Sequence, residues 1–250
     1  MPVVDVCNVD RLGARLKSQA KALCNATRLL APPCVVVSIG SENIWDFELD
    51  VVRWAPHCTV HVFDCTGATF GWRVPNALRS RVTLHFRCLG APRWSYAGAL
   101  RGGTGGWLAP RAGQNYEHVD WPTLLASIGL DRPPSLLKID CEGCEVDVFR
   151  SLLDGGGHRL LPDQIAVELH YPYERLNDSI WFRRFGDLFR WPADAMATAL
   201  WRAGGYAVIN HIGGDHACCQ EVLLARTRCT VDEGHALARV DVGKGGVDEG

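Results

Sequence analysis

The sequence predicts one α/β domain built as a doubly wound, mostly parallel sheet with helices on both faces. Three observations predict it. Short β-branched runs recur from Cys34 onward, each about the length of one strand. Between them lie segments whose apolar residues repeat at helical spacing. The ends of the runs carry glycine, acids and histidine, the residue types that gather at the carboxyl edge of such a sheet. With 250 residues, 47% of them hydrophobic, the chain has the apolar content of a single continuous core. Residues 1–230 therefore read as one domain. Residues 231–250, glycine-rich, charged and nearly without apolar side chains, read as a frayed tail.

Cys34–Ile39 (CVVVSI) is entered through Pro32 and Pro33 and ends at Gly40, the pattern of a buried central strand. Asn43 is placed to cap a following helix, with Asp46 three residues on, and Ile44, Phe47, Val51 and Trp54 give that helix one apolar face. Thr59–Phe63 (TVHVF) is a second strand stopping at Asp64, and Arg81–Phe86 (RVTLHF) a third. From Leu89 to Tyr116 the pattern fails, with glycines interleaved among Arg93, Trp94, Arg101, Trp107 and Arg111. No Gly-Lys-Ser/Thr follows, so this stretch reads as a surface flap rather than a phosphate loop. Pro122 suits the first turn of a helix running to Ile128 and stopped near Gly129. Leu136–Asp140 (LLKID) is a fourth strand, after which a helix runs from the Cys141-Glu142-Gly143 turn to about Leu153. Gln164–His170 (QIAVELH) is the fifth strand, Ala193–Arg202 a helix stopped by Gly204 and Gly205, and Tyr206–Asn210 and Glu221–Ala225 the last strands.

Composition excludes some functions. The 26 basic and 28 acidic residues nearly cancel, so no bulk field draws nucleic acid or an anionic membrane. No apolar run approaches the roughly 18 to 20 residues that span a bilayer, and Met1–Asp10 carries no secretory pattern. The chain reads as soluble, its compartment unknown. Eleven cysteines, scattered and odd in number, read as small side chains filling the core. Cys141 and Cys144 form the one Cys-x-x-Cys but lack a second ligand pair for zinc, so no metal is expected. Arg175, Arg183, Arg184 and Arg190, set among aromatic residues, read as the wet side of an amphipathic helix.

The strand ends carry the candidate chemistry. Ser38, Gly40, Ser41 and Glu42 form a strand-to-helix turn, where unpaired N–H groups favour an anion. Asp64 ends the second strand 24 positions after Gly40, where an acid can accept hydrogen bonds from both hydroxyls of an adenosine ribose, with Cys65 beside it. Asp140 and Glu142 flank the fourth strand's end and can hold a cation or take a proton. Glu168 and His170 share one face of the fifth strand, so His170 can serve as a base oriented by Glu168 or Asp140. His211 and His216 lie between the last two strands, where a lid or acceptor pocket could form. Lys138 reads as a strand lysine at the sheet margin, pointing away from Asp140's neighbours and without a role.

Val35-Val36-Val37-Ser38-Ile39-Gly40, Val62-Phe63-Asp64 and above all Lys138-Ile139-Asp140-Cys141-Glu142-Gly143-Cys144-Glu145 resemble the FkbM-type methyltransferases and related methyltransferase-like proteins, as does Val167-Glu168-Leu169-His170. The resemblance implies a Rossmann-like, seven-stranded sheet with its last strand antiparallel, and S-adenosylmethionine as cofactor. It also implies that Gly40 and its neighbours hold the methionine end and Asp64 the ribose, while Asp140 lies beside the sulfonium. The function expected is O-methylation of a small-molecule or glycan hydroxyl, with His170 or Glu142 as base. Two alternatives stand: a non-catalytic binding module on the same fold, and a nicotinamide-dependent oxidoreductase. The second lacks two of the three glycines a pyrophosphate requires.

Overall fold

In the computed structural model of the chain, the described residues are 7–13, 20–90, 117–141, 145, 149, 157–170, 205–213 and 219–226. Two short antiparallel strands come first, β1 (Val9–Leu12) and β2 (Lys21–Cys24). Then follow α1 (Ala26–Leu29), β3 (Val35–Ile39), α2 (Asp46–Trp54), β4 (Thr59–Phe63), α3 (Gly67–Phe70) and β5 (Val82–His85). A separate parallel pair, β6 (Arg87–Leu89) and β7 (Glu117–Val119), precedes α4 (Trp121–Ser127) and β8 (Leu136–Ile139). The chain closes with β9 (Gln164–His170), β10 (Tyr206–Gly213) and β11 (Cys219–Arg226).

Seven of these strands form one sheet in the order β10-β11-β9-β8-β3-β4-β5. The pairs β3/β4, β4/β5, β3/β8 and β8/β9 are parallel, whereas β11 runs antiparallel to both of its neighbours. The doubly wound sheet with an antiparallel last strand is therefore present, and the strand order reverses at β3, the place where sheets of this kind bind ligands. Alternation along the strands divides the core in two. Val37, Ile39, Leu137, Ile139, Ile165 and Val167 pack under Trp121, Leu124 and Leu125 of α4 and under Phe149. Val36, Val60, Val62, Leu136 and Ala166 face Phe47 and Val51 of α2, and Leu12 and Leu23 of the opening hairpin. Each such aliphatic side chain, fully buried, contributes about 1.5–3 kcal/mol relative to exposure.

Local boundaries depart from expectation where distant partners intervene. Asn43 does not cap α2: it sits in left-handed backbone at φ 60°, next to Glu42 at 48°, and the helix begins only at Asp46. The delay belongs to a turn whose amides reach Asp64, a partner on another strand. Trp54, expected inward, is exposed. The helix at Pro122 begins one residue earlier, because Asp120 accepts a hydrogen bond from the Thr123 N–H at 2.8 Å, and it stops before Gly129 at φ +73° as the sequence implies. The β10/β11 hairpin is longer than expected, since a register shift between Val208 and Asn210 breaks the two-residue alternation used to find it. The opening hairpin was not foreseen.

The cysteines correct a further expectation. Cys7–Cys24, Cys34–Cys58 and Cys65–Cys88 are disulfides, so these six are cross-links rather than loose core fillers. Residues 91–116, most of the segments after Cys141 and after His170, and the tail lie outside the described residues. With them lie Glu142, Arg175, Arg183, Arg184, Arg190, the Ala193–Arg202 helix, His216 and the side chains of His170 and His211. Among the described residues no helix is long and apolar enough to cross a membrane.

Candidate functional site

The site forms where β3, β4 and β8 end. Gly40 closes β3 at φ +73°, and a Cβ built there would lie 1.7 Å from the Asp140 carbonyl oxygen. Only glycine allows the β3 turn to lie against the end of β8. The Gly40 N–H donates to the Phe63 carbonyl at 2.9 Å and the Asp140 N–H to the Ile39 carbonyl at 3.0 Å, so the three strand ends are tied together.

Two parts of the site that the sequence marks separately meet here. Asp64 Oδ2 accepts from the Ser41 and Glu42 N–H groups at 2.9 and 3.0 Å, and Oδ1 from the N–H and hydroxyl of Thr66 at 3.1 and 2.6 Å. The turn amides do hold an anion, and it is the chain's own carboxylate. With four donors Asp64 has its acceptor positions filled. Ser41 adds a buried hydroxyl that has no partner among the described residues. Cys65 is bonded to Cys88, which ties the loop after Asp64 to β6. Ser38 is fully buried, and its hydroxyl donates to Glu48 Oε1 at 2.6 Å. Burial raises the Glu48 carboxyl above its ordinary value against the pull of Lys138 and Ser38.

Beside this turn lies a row of acids. Glu168 pairs directly with Glu221 across β9 and β11, and Asp140 follows Ile139, which pairs with Val167. Asp140, Glu168 and Glu221 thus stand in line on three adjacent strands, with ligand oxygens all within 4.8 Å of one another. Lys21, 1% exposed, reaches into them from β2: its Nζ donates to Asp140 Oδ2 at 3.0 Å and to Glu221 Oε1. Lys138 corrects expectation, for it lies buried on the same face, 3.8 Å from Asp140 Oδ2, and donates to the Gly40 carbonyl. Burial alone would raise the Asp140 carboxyl. The ammoniums of Lys138 and Lys21, with hydrogen bonds from Glu168 and Lys21, outweigh burial and hold it well below the usual aspartate range. Lys21 is raised despite its desolvation, by Asp140, Glu221 and Glu168. Glu221 is raised by burial, which its lysine neighbours only partly offset.

The structure therefore brings together Ser38, Gly40, Ser41, Glu42, Asp64 and Asp140 at one edge. Cys65 stands beside Asp64, and Glu168 stands next to Asp140. Sequence reasoning missed Lys21, Glu48, Lys138 and Glu221. A lysine between apolar residues in the short Lys-Ala-Leu-Cys strand was the one available signal for Lys21, and it needs the tertiary partner to be read. A second trio, Cys34, His57 and Cys58, has metal-like spacing, but its sulfurs are joined to each other.

Comparison with known proteins follows this geometry. An O-methyltransferase family protein of Burkholderia thailandensis is similar in structure at 11% identity and a TM-score of 0.42, over 81% of this chain and 54% of that one. An O-methyltransferase family 2 protein of Planctomyces limnophilus, solved with apigenin, gives 10%, 0.38, 77% and 50%. The precorrin-6y C5,15-methyltransferase of Geobacter metallireducens gives 11%, 0.38, 81% and 85%. The chain spans about half the length of the first two structures. No curated protein matches it. The family described as methyltransferase domain matches residues 2–190, which include β3, β4, β8, β9 and all the strand-end residues above except Glu221. By that match over most of its length, the chain belongs to the methyltransferase domain family.

Proposed function

We propose that the chain is an S-adenosylmethionine-dependent methyltransferase of the FkbM-like kind, acting on a hydroxyl of a small molecule or glycan. The observation that carries the reading is the convergence of Gly40, Ser41, Asp64 and Asp140 at the reversal point of the sheet. The residues fit the amino-acid end of that cofactor: Ser41 offers a buried hydroxyl without a partner among the described residues, and Asp140 a carboxylate held ionised. Asp64 would meet a ribose by exchanging the Ser41 and Glu42 amides for its hydroxyls. When bound, the cofactor supplies a methyl group on a sulfonium, activated for in-line displacement.

The chain's own residues then have to align the acceptor, exclude water and take a proton. Asp140 suits the electrostatic part. A carboxylate kept far below its usual range by two ammoniums is a weak proton acceptor, so it orients and balances positive charge. Proton removal from the hydroxyl falls to His170 or Glu142, whose side chains lie outside the described residues. Family membership speaks against the nicotinamide reading. The filled acceptor positions of Asp64 favour one rival, a binding module that keeps the fold without turnover.

Titration calorimetry with S-adenosylhomocysteine, on the wild type and on Asp64→Ala and Ser41→Ala variants, separates the two. Saturable binding weakened at least about tenfold by either substitution, a loss of roughly 1.4 kcal/mol, supports the enzyme reading. A folded wild type that binds no nucleoside leaves the binding module.

A further inference from the structure

We propose that Lys21 is the resident cation of a three-carboxylate site made by Asp140, Glu168 and Glu221, a positioning residue that holds Asp140 in place at the end of β8. The inference deepens the methyltransferase reading and rests on it for the meaning of Asp140, although its central test does not. Three carboxylates on adjacent strands, with oxygens all within 4.8 Å of one another, form the kind of cage that proteins fill with a divalent ion. Here the space holds an ammonium. Lys21 Nζ touches two of the three acids directly, is 1% exposed and feels the third electrostatically. Unpaired, such a row would not stay ionised, since like charges this close repel strongly in a dry site.

Among the described residues, two ammoniums, Lys21 and Lys138, stand against these acids: Lys21 beside Asp140 and Glu221, and Lys138 beside Asp140. The groups among the described residues that face the cluster are Lys21 from β2, Lys138 and Asp140 from β8, Glu168 from β9 and Glu221 from β11, with Glu48 of α2 behind Lys138. Lys21 arrives on a strand that is anchored independently: Gln164 at the start of β9 accepts from the Cys24 N–H at 2.8 Å and donates to the Cys24 carbonyl at 2.7 Å. The Cys7–Cys24 disulfide closes the hairpin behind it. The ammonium is delivered by a rigid element, as a positioning residue requires.

The test uses the full chain with Lys21→Ala, Lys21→Met and Lys21→Arg. Lys21→Ala opens the cage, so 10 mM calcium should raise its melting temperature by about 3 °C or more, while wild type and Lys21→Met move by less than about 1 °C. Lys21→Met leaves an uncompensated charge that protonation relieves, so its loss of melting temperature should be larger at pH 8 than at pH 5, and Lys21→Arg should restore most of it. Affinity for S-adenosylhomocysteine should fall at least about tenfold in Lys21→Met and recover in Lys21→Arg. A Lys21→Ala variant indifferent to calcium, together with a pH-independent loss in Lys21→Met, overturns the proposal. If wild type binds no nucleoside, the methyltransferase reading fails, and the calcium and pH results still decide the role of Lys21.

A separate observation carries a second inference, that the chain matures in an oxidising compartment. Among the described residues three complete cysteine pairs are cross-linked, and one of them, Cys34–Cys58, lies in the core with its residues 5% and 0% exposed. Disulfides at this density are rare where glutathione keeps thiols reduced. The chain should therefore be made twice, through a secretory route and in a reducing cytosol, and mapped as non-reduced peptides. All three bonds in the secreted product, and a lower melting temperature after reduction, are expected. Free thiols in the secreted product, or a melting temperature that reductant leaves unchanged, overturn the inference.

Discussion

At Gly40 one missing methylene decides whether two strand ends can meet. The Gly40→Ala substitution combines a left-handed φ with a Cβ placed inside the Asp140 carbonyl, and should cost about 3 kcal/mol in urea unfolding. Gly129 has the same φ of +73° with nothing within 4 Å, so Gly129→Ala should cost only about 1 kcal/mol and isolates the overlap from the backbone strain. His85 gives a residue-scale pH effect. Burial, then His61 and Arg87, lower its imidazole to about 4 from 6.5, and its ring lies 3.1 Å from that of His61. Between these values the unfolded chain binds a proton that the fold rejects, so stability is full above pH 6.5 and falls as pH drops toward 4. The ring is half exposed, so the effect should be only about 1 kcal/mol, and His85→Gln should flatten the urea midpoint across that window. Single residues also mark what the sequence showed. Gly40, Asp64 and Asp140 were legible because each ends a short, mostly apolar strand run. Lys138 was misread because its burial depends on carbonyls that the neighbouring strand supplies.

Among the elements, the antiparallel end of the sheet is locked by a side-chain knot. The Tyr206 hydroxyl donates to the Pro162 carbonyl, while Arg226 donates to that hydroxyl at 3.0 Å and to the Leu161 carbonyl at 2.8 Å. Burial pushes the Tyr206 phenol up to about 12 against the pull of Arg226, so it donates at any working pH. Tyr206→Phe should cost about 1–2 kcal/mol by chemical denaturation, because the Pro162 carbonyl is left without its donor. Helices were harder to place than strands. α2 starts late because Ser41 and Glu42 give their amides to an acid on β4, whereas α4 starts where its own Asp120 caps it. Local signals located the second helix to within a residue and missed the start of the first, since only one of the two ends is determined locally.

Across the whole molecule, topology was legible because alternating strands and helices permit few connections. The acid row was not, because three strands far apart in sequence must be in register before it exists. The cross-links were equally invisible, as spacing alone does not pair cysteines. The Cys34–Cys58 bond closes a 24-residue loop, so its removal in Cys34→Ala/Cys58→Ala should lower stability by about 3 kcal/mol, read from urea curves of the otherwise oxidised chain. The seat of the opening hairpin reaches furthest. Its clamp on Cys24 comes from a residue 140 positions later, and one acid for Lys21 comes 200 positions later. During synthesis β1 and β2 therefore wait until β9 and then β11 have emerged. Meanwhile the central strands can pair at once with near neighbours. The hairpin made before the central strands docks after them, and the lysine on its waiting strand discourages it from pairing elsewhere in the meantime.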